Sequence, residues 1–146
     1  MMKLSIRKDE LQTGLSRLQG IVEKRHSMPI LANVLIRAKV KGGELSLAAT
    51  DLEVGIQSSH DAKVKSGGGV TVLAKKFFEI VRELPDEEIF LEATANAYLN
   101  IKCARSDFTL AGTSIEEYPT LPDFKPEKTA IVQAHVLSVM IERTMY

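Results

Sequence analysis

The residues of this sequence that could do chemistry are scattered and form no recognisable site. The three histidines, His26, His60 and His135, are far apart and lack the short spacings of metal ligands. Asp51 and Glu53 could pair on a metal ion, but they have no third ligand nearby in the sequence. Because Asp51 lies at a predicted turn between strands, we expect its carboxylate to accept backbone hydrogen bonds instead. The sequence therefore predicts no metal site.

The single cysteine and the glycine run are also more typical of structure than of catalysis. Cys103 lies in an alternating apolar segment, where a buried and unreactive thiol is expected. The run Gly67–Gly69 is not followed by the Gly-Lys-Ser or Gly-Lys-Thr of a phosphate-binding loop. A single cysteine allows no internal disulfide framework. We therefore expect a protein that has no catalytic residues and no cofactor.

The composition is that of a charge-balanced globular protein. The chain has 146 residues, 45% of them hydrophobic, which is enough for one domain with its own core. Its 19 basic and 19 acidic residues argue against a generally basic nucleic-acid-binding protein. Residues 1–26 nevertheless carry six basic and three acidic side chains, whereas residues 83–92 carry five acidic and no basic ones. With no segment typical of a signal peptide or a membrane helix, we expect a soluble, cytoplasmic protein.

The chain begins the same pattern three times, at residues 4–11, 70–77 and 130–137. Each copy alternates apolar residues as a strand does and then changes to helical spacing. The helical apolar positions are Leu11, Leu15 and Leu18, then Phe77, Val81 and Leu84, then Leu137 and Ile141. A repeated strand–helix unit predicts an architecture built by repetition. Since the third copy stops at Tyr146, inside its own helix, we expect the chain to be part of a longer protein.

Strand and helix signals divide residues 1–113 into two halves of similar order. In the first half, a strand at 3–7 precedes a helix from an N-cap at Asp9 to about Gly20, and residues 21–32 are irregular. Three strands follow, at 33–39, 44–50 and 53–59. The second half has a strand at 70–73, a helix at 75–84 ended by Pro85, and strands near 88–93, 97–103 and 106–112. The order βαβββ in each half predicts an α+β fold with two helices packed on curved antiparallel sheets.

Prolines mark the boundary of the first domain. Pro119, Pro122 and Pro126 are typical of an ordered linker. We predict a first domain at residues 1–122, a linker at 123–128, and the start of a second domain at 129–146.

Four motifs that occur in a fixed order make the sequence specific. They are Met28-Pro-Ile-Leu-Ala-Asn-Val-Leu35, Leu45-Ser-Leu-Ala-Ala-Thr-Asp-Leu-Glu53, Ala74-Lys-Lys-Phe-Phe-Glu-Ile80 and Glu117-Tyr-Pro-Thr-Leu-Pro122. Together they resemble the N-terminal domain of the bacterial sliding clamps, the beta subunits of DNA polymerase III. The resemblance covers essentially the whole chain. It implies a DNA-clamp-like domain within a head-to-tail homodimeric ring around duplex DNA, with helices lining the hole and sheets outside.

The resemblance implies a non-catalytic processivity factor that tethers the replicative polymerase, with DNA polymerase III and a clamp loader as partners. Such a ring holds DNA topologically, so it needs cations on the hole-facing helices and few base contacts. By resemblance, Arg25 and Lys75 lie at DNA-contacting positions, with Lys24 as a neighbour. The alternative for all three is a solvated charge at a helix end.

The resemblance also implies a joint with the second subunit that involves Lys76, Arg105, Phe108 and Leu110. Phe108 and Leu110 alternate on one strand face, so both could instead belong to the core. The partner side of the joint is a third domain, so we expect the 146 residues to be unable to close a ring alone.

Two other functions compete with the clamp. One is a non-catalytic interaction or scaffold domain that binds no nucleic acid. The other is an enzyme whose catalytic part lies beyond residue 146. The basic residues at the helix ends favour the clamp over the scaffold, and the resemblance disfavours the enzyme.

Overall fold

The computed structural model describes residues 1–22, 28–119 and 129–145, which form an α+β fold as predicted. The first half contains strand β1 (Met2–Arg7), helix α1 (Lys8–Val22), a 3-10 turn (Pro29–Ala32), and strands β2 (Asn33–Lys39), β3 (Glu44–Thr50), β4 (Gly55–Asp61) and β5 (Lys63–Ser66). The second half contains β6 (Gly68–Leu73), α2 (Ala74–Glu83), β7 (Glu88–Ala93), β8 (Tyr98–Cys103) and β9 (Ser106–Thr113). A 3-10 turn (Ile115–Glu117) and helix α3 (Ala134–Glu142) follow.

Helix α1 forms because apolar residues recur at helical spacing, and its predicted stripe is completely buried. It begins at Lys8, so Asp9 is not an N-cap but lies in the first turn, where a negative charge stabilises the positive end of the helix dipole. The prediction that residues 21 and 22 are irregular is wrong. Ile21 and Val22 are buried and continue the apolar stripe, which extends the helix by two residues beyond the predicted end.

The two helices pack against each other, as predicted. The ammonium group of Lys8, at the start of α1, donates hydrogen bonds to the carbonyl oxygens of Arg82 (3.0 Å) and Leu84. These carbonyls belong to the end of α2, where the helix leaves backbone acceptors without intrahelical donors. The start of α1 therefore lies beside the end of α2, and Lys8 stabilises the α2 C-terminus.

The strands form a nine-stranded antiparallel sheet in the order β4-β3-β2-β6-β9-β8-β7-β1-β5. The first strand of each half lies in the sheet of the other half, because β1 pairs with β7 and β6 pairs with β2. This exchange was not predicted. It divides the order into two sheets, β4-β3-β2-β6 and β9-β8-β7-β1-β5, which are joined only where β6 pairs with the end of β9 among the described residues. Only Ala62 separates β4 from β5, which nevertheless lie at opposite ends of the order. The sheet therefore curves back on itself.

One core joins both halves, and it contains buried residues from both α1 and α2 and from strands of both sheets. Alternation along β2 shows how the faces divide. Val34 and Ile36 lie in this core, whereas Leu35 points to the opposite face and packs with Ala48 and Tyr118 in a second, smaller cluster.

Three local predictions differ from the structure. The third strand of the first half begins at Gly55 rather than 53, and the short strand β5 was missed. Residues 129–133 are not in a strand, although the repeat predicted one.

Every described residue of α3 is exposed. No helix in residues 1–22, 28–119 and 129–145 is long and apolar enough to span a membrane.

Candidate functional site

The helical layer carries exposed cations that have no partner among the described residues. Lys75, at the start of α2, is exposed and makes no hydrogen bond or ion pair with any of them. The same is true of Arg17 on α1, which the sequence analysis missed. Helical spacing could have identified Arg17, because it places this residue on one face of α1 with Thr13, Ser16 and Gly20. All four residues are exposed, and the neighbours of the cation are small. Arg25 and Lys24 lie outside the described residues.

Strand β9 has an open edge over most of its length. It pairs with β8 from Ser106 to Ala111, but only Gly112 and Thr113 at its end pair with β6. Its earlier residues therefore have one strand neighbour among the described strands, which leaves backbone donors and acceptors available on the other side. Such an edge can pair with a strand of another domain or chain.

The proposed joint residues differ in their surroundings. Phe108 is 41% exposed, so the alternative that it is an ordinary core residue is wrong. Leu110 is half-buried and packs on the main core. Arg105 is exposed in the turn between β8 and β9, with no hydrogen bond or ion pair to a described residue. Lys76 makes an ion pair of 3.3 Å with Glu79 one turn later in α2.

A groove of about 320 Å³ lies between α2 and the start of β9. It brings Lys76 and Phe108 together and adds Ile80, which the sequence analysis did not single out. Arg105 and Leu110 do not line it. The open strand edge and the partly apolar groove form one continuous candidate surface, which we call the β9 edge.

The first, second and fourth sequence motifs meet around Tyr118, on the sheet face opposite the main core. The Tyr118 hydroxyl donates to the carbonyl oxygen of Asn33 (3.2 Å) and accepts from the backbone N–H of Thr50 (3.3 Å). Burial raises the pKa of Tyr118, so the phenol keeps its proton and can donate at neutral pH. These motifs therefore determine structure, because they fasten the segment after β9 to β2 and β3.

Replacing Tyr118 with Phe should destabilise the fold by about 1–2 kcal/mol, since the hydroxyl serves two backbone groups in a buried place. Urea denaturation followed by circular dichroism measures this change. Replacing the exposed Tyr98 with Phe is the matched control and should change stability by less than about 0.5 kcal/mol. Equal effects of the two substitutions would contradict the assignment.

The other candidates for chemistry have structural roles. Asp51 accepts backbone hydrogen bonds from Glu53 (3.0 Å) and Val54 (2.7 Å), which confirms the predicted turn. Cys103 is buried as predicted, and burial raises the pKa of its thiol. In the part of the chain that the structure describes, no group of His, Cys, Asp and Glu could hold a metal ion.

The histidines do not come together. His60 is buried against α1, with Nε2 2.9 Å from Ser58 Oγ and Nδ1 3.4 Å from Glu10 Oε2. His135 is exposed on α3, and His26 lies outside the described residues.

The comparisons with known proteins agree on one family. Residues 2–122 match the sequence profile of the family described as "DNA polymerase III beta subunit, N-terminal domain". A beta sliding clamp from Synechococcus elongatus is 35% identical over 99% of this chain, and a Vibrio harveyi one is 32% identical over 99% of both chains. The chain spans only 39% of the length of the Synechococcus relative.

Solved structures give the same result. The DNA polymerase sliding clamp from Caulobacter crescentus has a TM-score of 0.78 and 34% identity over 84% of this chain and 33% of its own. The beta subunit from the DNA polymerase of Streptococcus pyogenes, 20% identical, shows the same fold with a TM-score of 0.88 over 95% of this chain and 38% of its own. The profile match, the sequence identities and the exchanged-strand fold together show that this chain belongs to the family of DNA polymerase III beta subunits, the bacterial sliding clamps.

Proposed function

We propose that this chain is the DNA-facing first domain of a non-catalytic processivity factor that encircles duplex DNA. The observation that carries the proposal is a layer of two packed helices that presents the exposed cations Lys75 and Arg17, in a chain of the sliding-clamp family. Phosphate contacts of this kind neutralise charge without reading bases. The partner would be double-stranded DNA of any sequence.

Two surfaces of the domain are proposed to have different partners. Lys75, Arg25 and Lys24 contact phosphates, and Arg17 joins them. The β9 edge, with Lys76, Arg105, Phe108 and Leu110, forms the joint with a second subunit. An open strand edge beside an exposed phenylalanine supports this role, because edge pairing and apolar burial are the usual means of joining sheets.

The wider assignment extends this proposal. Residues 1–122 form the first domain, 123–128 a linker, and 129–146 the start of a second. A head-to-tail ring of two such subunits would act in the cytoplasm with DNA polymerase III and a clamp loader. The exposed apolar side chains of α3, such as Leu137 and Ile141, support its packing on further sheet.

The competing scaffold function is weaker because it leaves the exposed cations of the helical layer without a role. The enzyme function is disfavoured by the family. The test is retention on DNA of a ring-forming protein that carries these 146 residues. We expect it to stay on circular DNA and to slide off linear DNA. Equal retention on both would contradict encirclement.

Replacing Lys75 or Arg25 with Ala should weaken DNA association equally on all sequences and reduce the salt slope by about one for each phosphate that is no longer neutralised. Fluorescence anisotropy with duplexes of random and defined sequence, over a range of salt concentrations, measures both effects. Lys65→Ala is the control, because this exposed lysine lies on the outer face of the sheet. A sequence-dependent loss would refute the phosphate role.

We also expect the 146-residue chain alone to bind DNA weakly and with a shallow salt dependence, because it offers few phosphate contacts. Tight, salt-resistant binding by this chain alone would argue against topological retention.

A further inference from the structure

A second concave surface lies on the sheet face opposite the two helices. This outer groove has a volume of about 420 Å³ and lies between β2, β3, β4 and residues 115–119. Leu35, Ala48 and Tyr118 form its buried floor, and Arg37 and Lys39 lie on its rim. The groove is separate from the β9 edge and shares no lining residue with it.

The cations of the outer groove have no partner in the part of the chain that the structure describes. Arg37 and Lys39 are exposed and make no hydrogen bond or ion pair with any described residue. Arg37 lies between Ser46 and Gly69 in the sheet, neither of which carries charge. Lys39 lies opposite Glu44, but the carboxylate of Glu44 accepts a hydrogen bond of 2.6 Å from Ser59 instead.

Arg37 and Lys39 differ in this respect from most outward lysines of the sheet formed by β1, β5, β7, β8 and β9, which are in ion pairs. Ion pairs there join Lys3 to Glu92 (2.8 Å), Lys63 to Glu88 (2.8 Å) and Lys102 to Asp107 (3.0 Å). The lining of the outer groove therefore carries two cations without a described ion-pair partner against one carboxylate, that of Glu116, and an acidic ligand would neutralise the excess positive charge.

The groove is also held in shape by its neighbours. A Cβ atom at Gly69 would lie 3.0 Å from Ile115 Cγ2 and 3.2 Å from Arg37 Cγ, so the Arg37 stem and Ile115 pack closely over this glycine. The Gln57 side-chain amide donates to Ser46 Oγ (3.2 Å), which orients both groups. Neutral donors and acceptors beside two cations suit the mixed polarity of a peptide backbone with acidic side chains.

We propose that the outer groove binds an extended acidic segment of a partner protein, with carboxylates on Arg37 and Lys39 and main chain on Gln57 and Ser46. A peptide fits better than duplex DNA because Glu116 lines the groove and Glu44 and Asp61 share its sheet face. A duplex carries a phosphate at every step and would bring some of them against these carboxylates, whereas a peptide can place its few carboxylates on the two cations and neutral groups beside the acidic side chains. The inference goes beyond the proposed function, since Lys75 and Arg17, which are proposed to face DNA, lie on the helices.

The test uses the 146-residue chain and a fluorescein-labelled peptide of eight residues that alternates glutamate with leucine. We expect binding by fluorescence anisotropy, and at least about tenfold weaker binding by the double variant Arg37→Glu, Lys39→Glu, because charge-assisted hydrogen bonds are lost. A peptide with glutamine in place of glutamate should lose a similar factor. Lys65→Glu makes the charge change of one of these two substitutions at another exposed lysine without a described partner, and it should leave the affinity within about twofold.

Three results would overturn the proposal, provided that melting curves show all variants folded. The unaltered chain does not bind the acidic peptide. The control Lys65→Glu weakens binding as much as the double variant, which indicates a general effect of net charge. A random-sequence duplex displaces the peptide and loses affinity for the double variant, which indicates a phosphate site.

Discussion

Replacing Phe77 with Ala should destabilise the fold by about 3–5 kcal/mol. The Phe77 ring is 0% exposed and lies in the core that joins both halves. Removing it loses the transfer free energy of the ring and leaves a cavity that the surrounding side chains fill only partly. Because a domain of this size is stable by only about 5–15 kcal/mol, the loss is a large fraction of the total. Urea denaturation gives the midpoint and slope from which the change is obtained.

The control for this prediction is Phe90→Ala. Phe90 is 50% exposed on the outward face of β7, so the same chemical change should cost less than about 1 kcal/mol. The burial of Phe77 in the core shared by both halves would be contradicted if the two variants lost the same stability.

Replacing Gly112 with Ala should destabilise the fold by about 3 kcal/mol, at the upper end of the usual cost of overpacking. A Cβ atom at this position would lie 2.4 Å from the carbonyl oxygen of Thr71 and 2.6 Å from that of Ala97. Both are backbone atoms, so no side-chain rotation relieves the contact. Gly112 is one of only two β9 residues that pair with β6 among the described residues, and the strain therefore acts where β6, which also pairs with β2 of the first half, joins β9.

Gly20→Ala is the matched control, because a Cβ atom there meets nothing within 4 Å. This substitution in α1 should stabilise the fold by up to about 1 kcal/mol through helix propensity. Hydrogen exchange should show faster opening of the β6 and β9 amides in Gly112→Ala. An unchanged exchange pattern together with unchanged stability would show that this close backbone approach does not hold β9 to β6.

Local patterns were sufficient to predict most elements of this protein. The buried stripes of α1 and α2 follow directly from helical spacing, and Pro85 comes directly after the residue that caps the end of α2. Gly42 and Gly43 have positive φ in the turn between β2 and β3, and a Gly-Gly pair indicates such a turn because glycine tolerates this backbone conformation. The turn at Asp51 was predictable from a carboxylate that can accept neighbouring N–H groups.

Only the tertiary structure decided which strands become neighbours. Alternation of apolar and polar residues identifies the buried face of a strand, but it does not indicate which other strand will pair with it. The exchange of β1 and β6 between the two sheets was therefore invisible in the sequence. The short strand β5 was missed for a related reason, since Val64 is its only apolar residue.

The candidate site also has some residues that the sequence identified and others that only the structure showed. Lys75 was found from its motif, whereas Arg17 lies in no motif and was recognised only once the structure showed the exposed face of α1. Phe108 and Leu110 lie opposite the buried residues Ile101 and Leu99 on one sheet face, yet Phe108 is 41% exposed and Leu110 packs on the core. The sequence by itself determined that both side chains share a face. The position of β9 at an open edge decided which of them is covered, because burial depends on what packs over a residue as well as on the face it occupies.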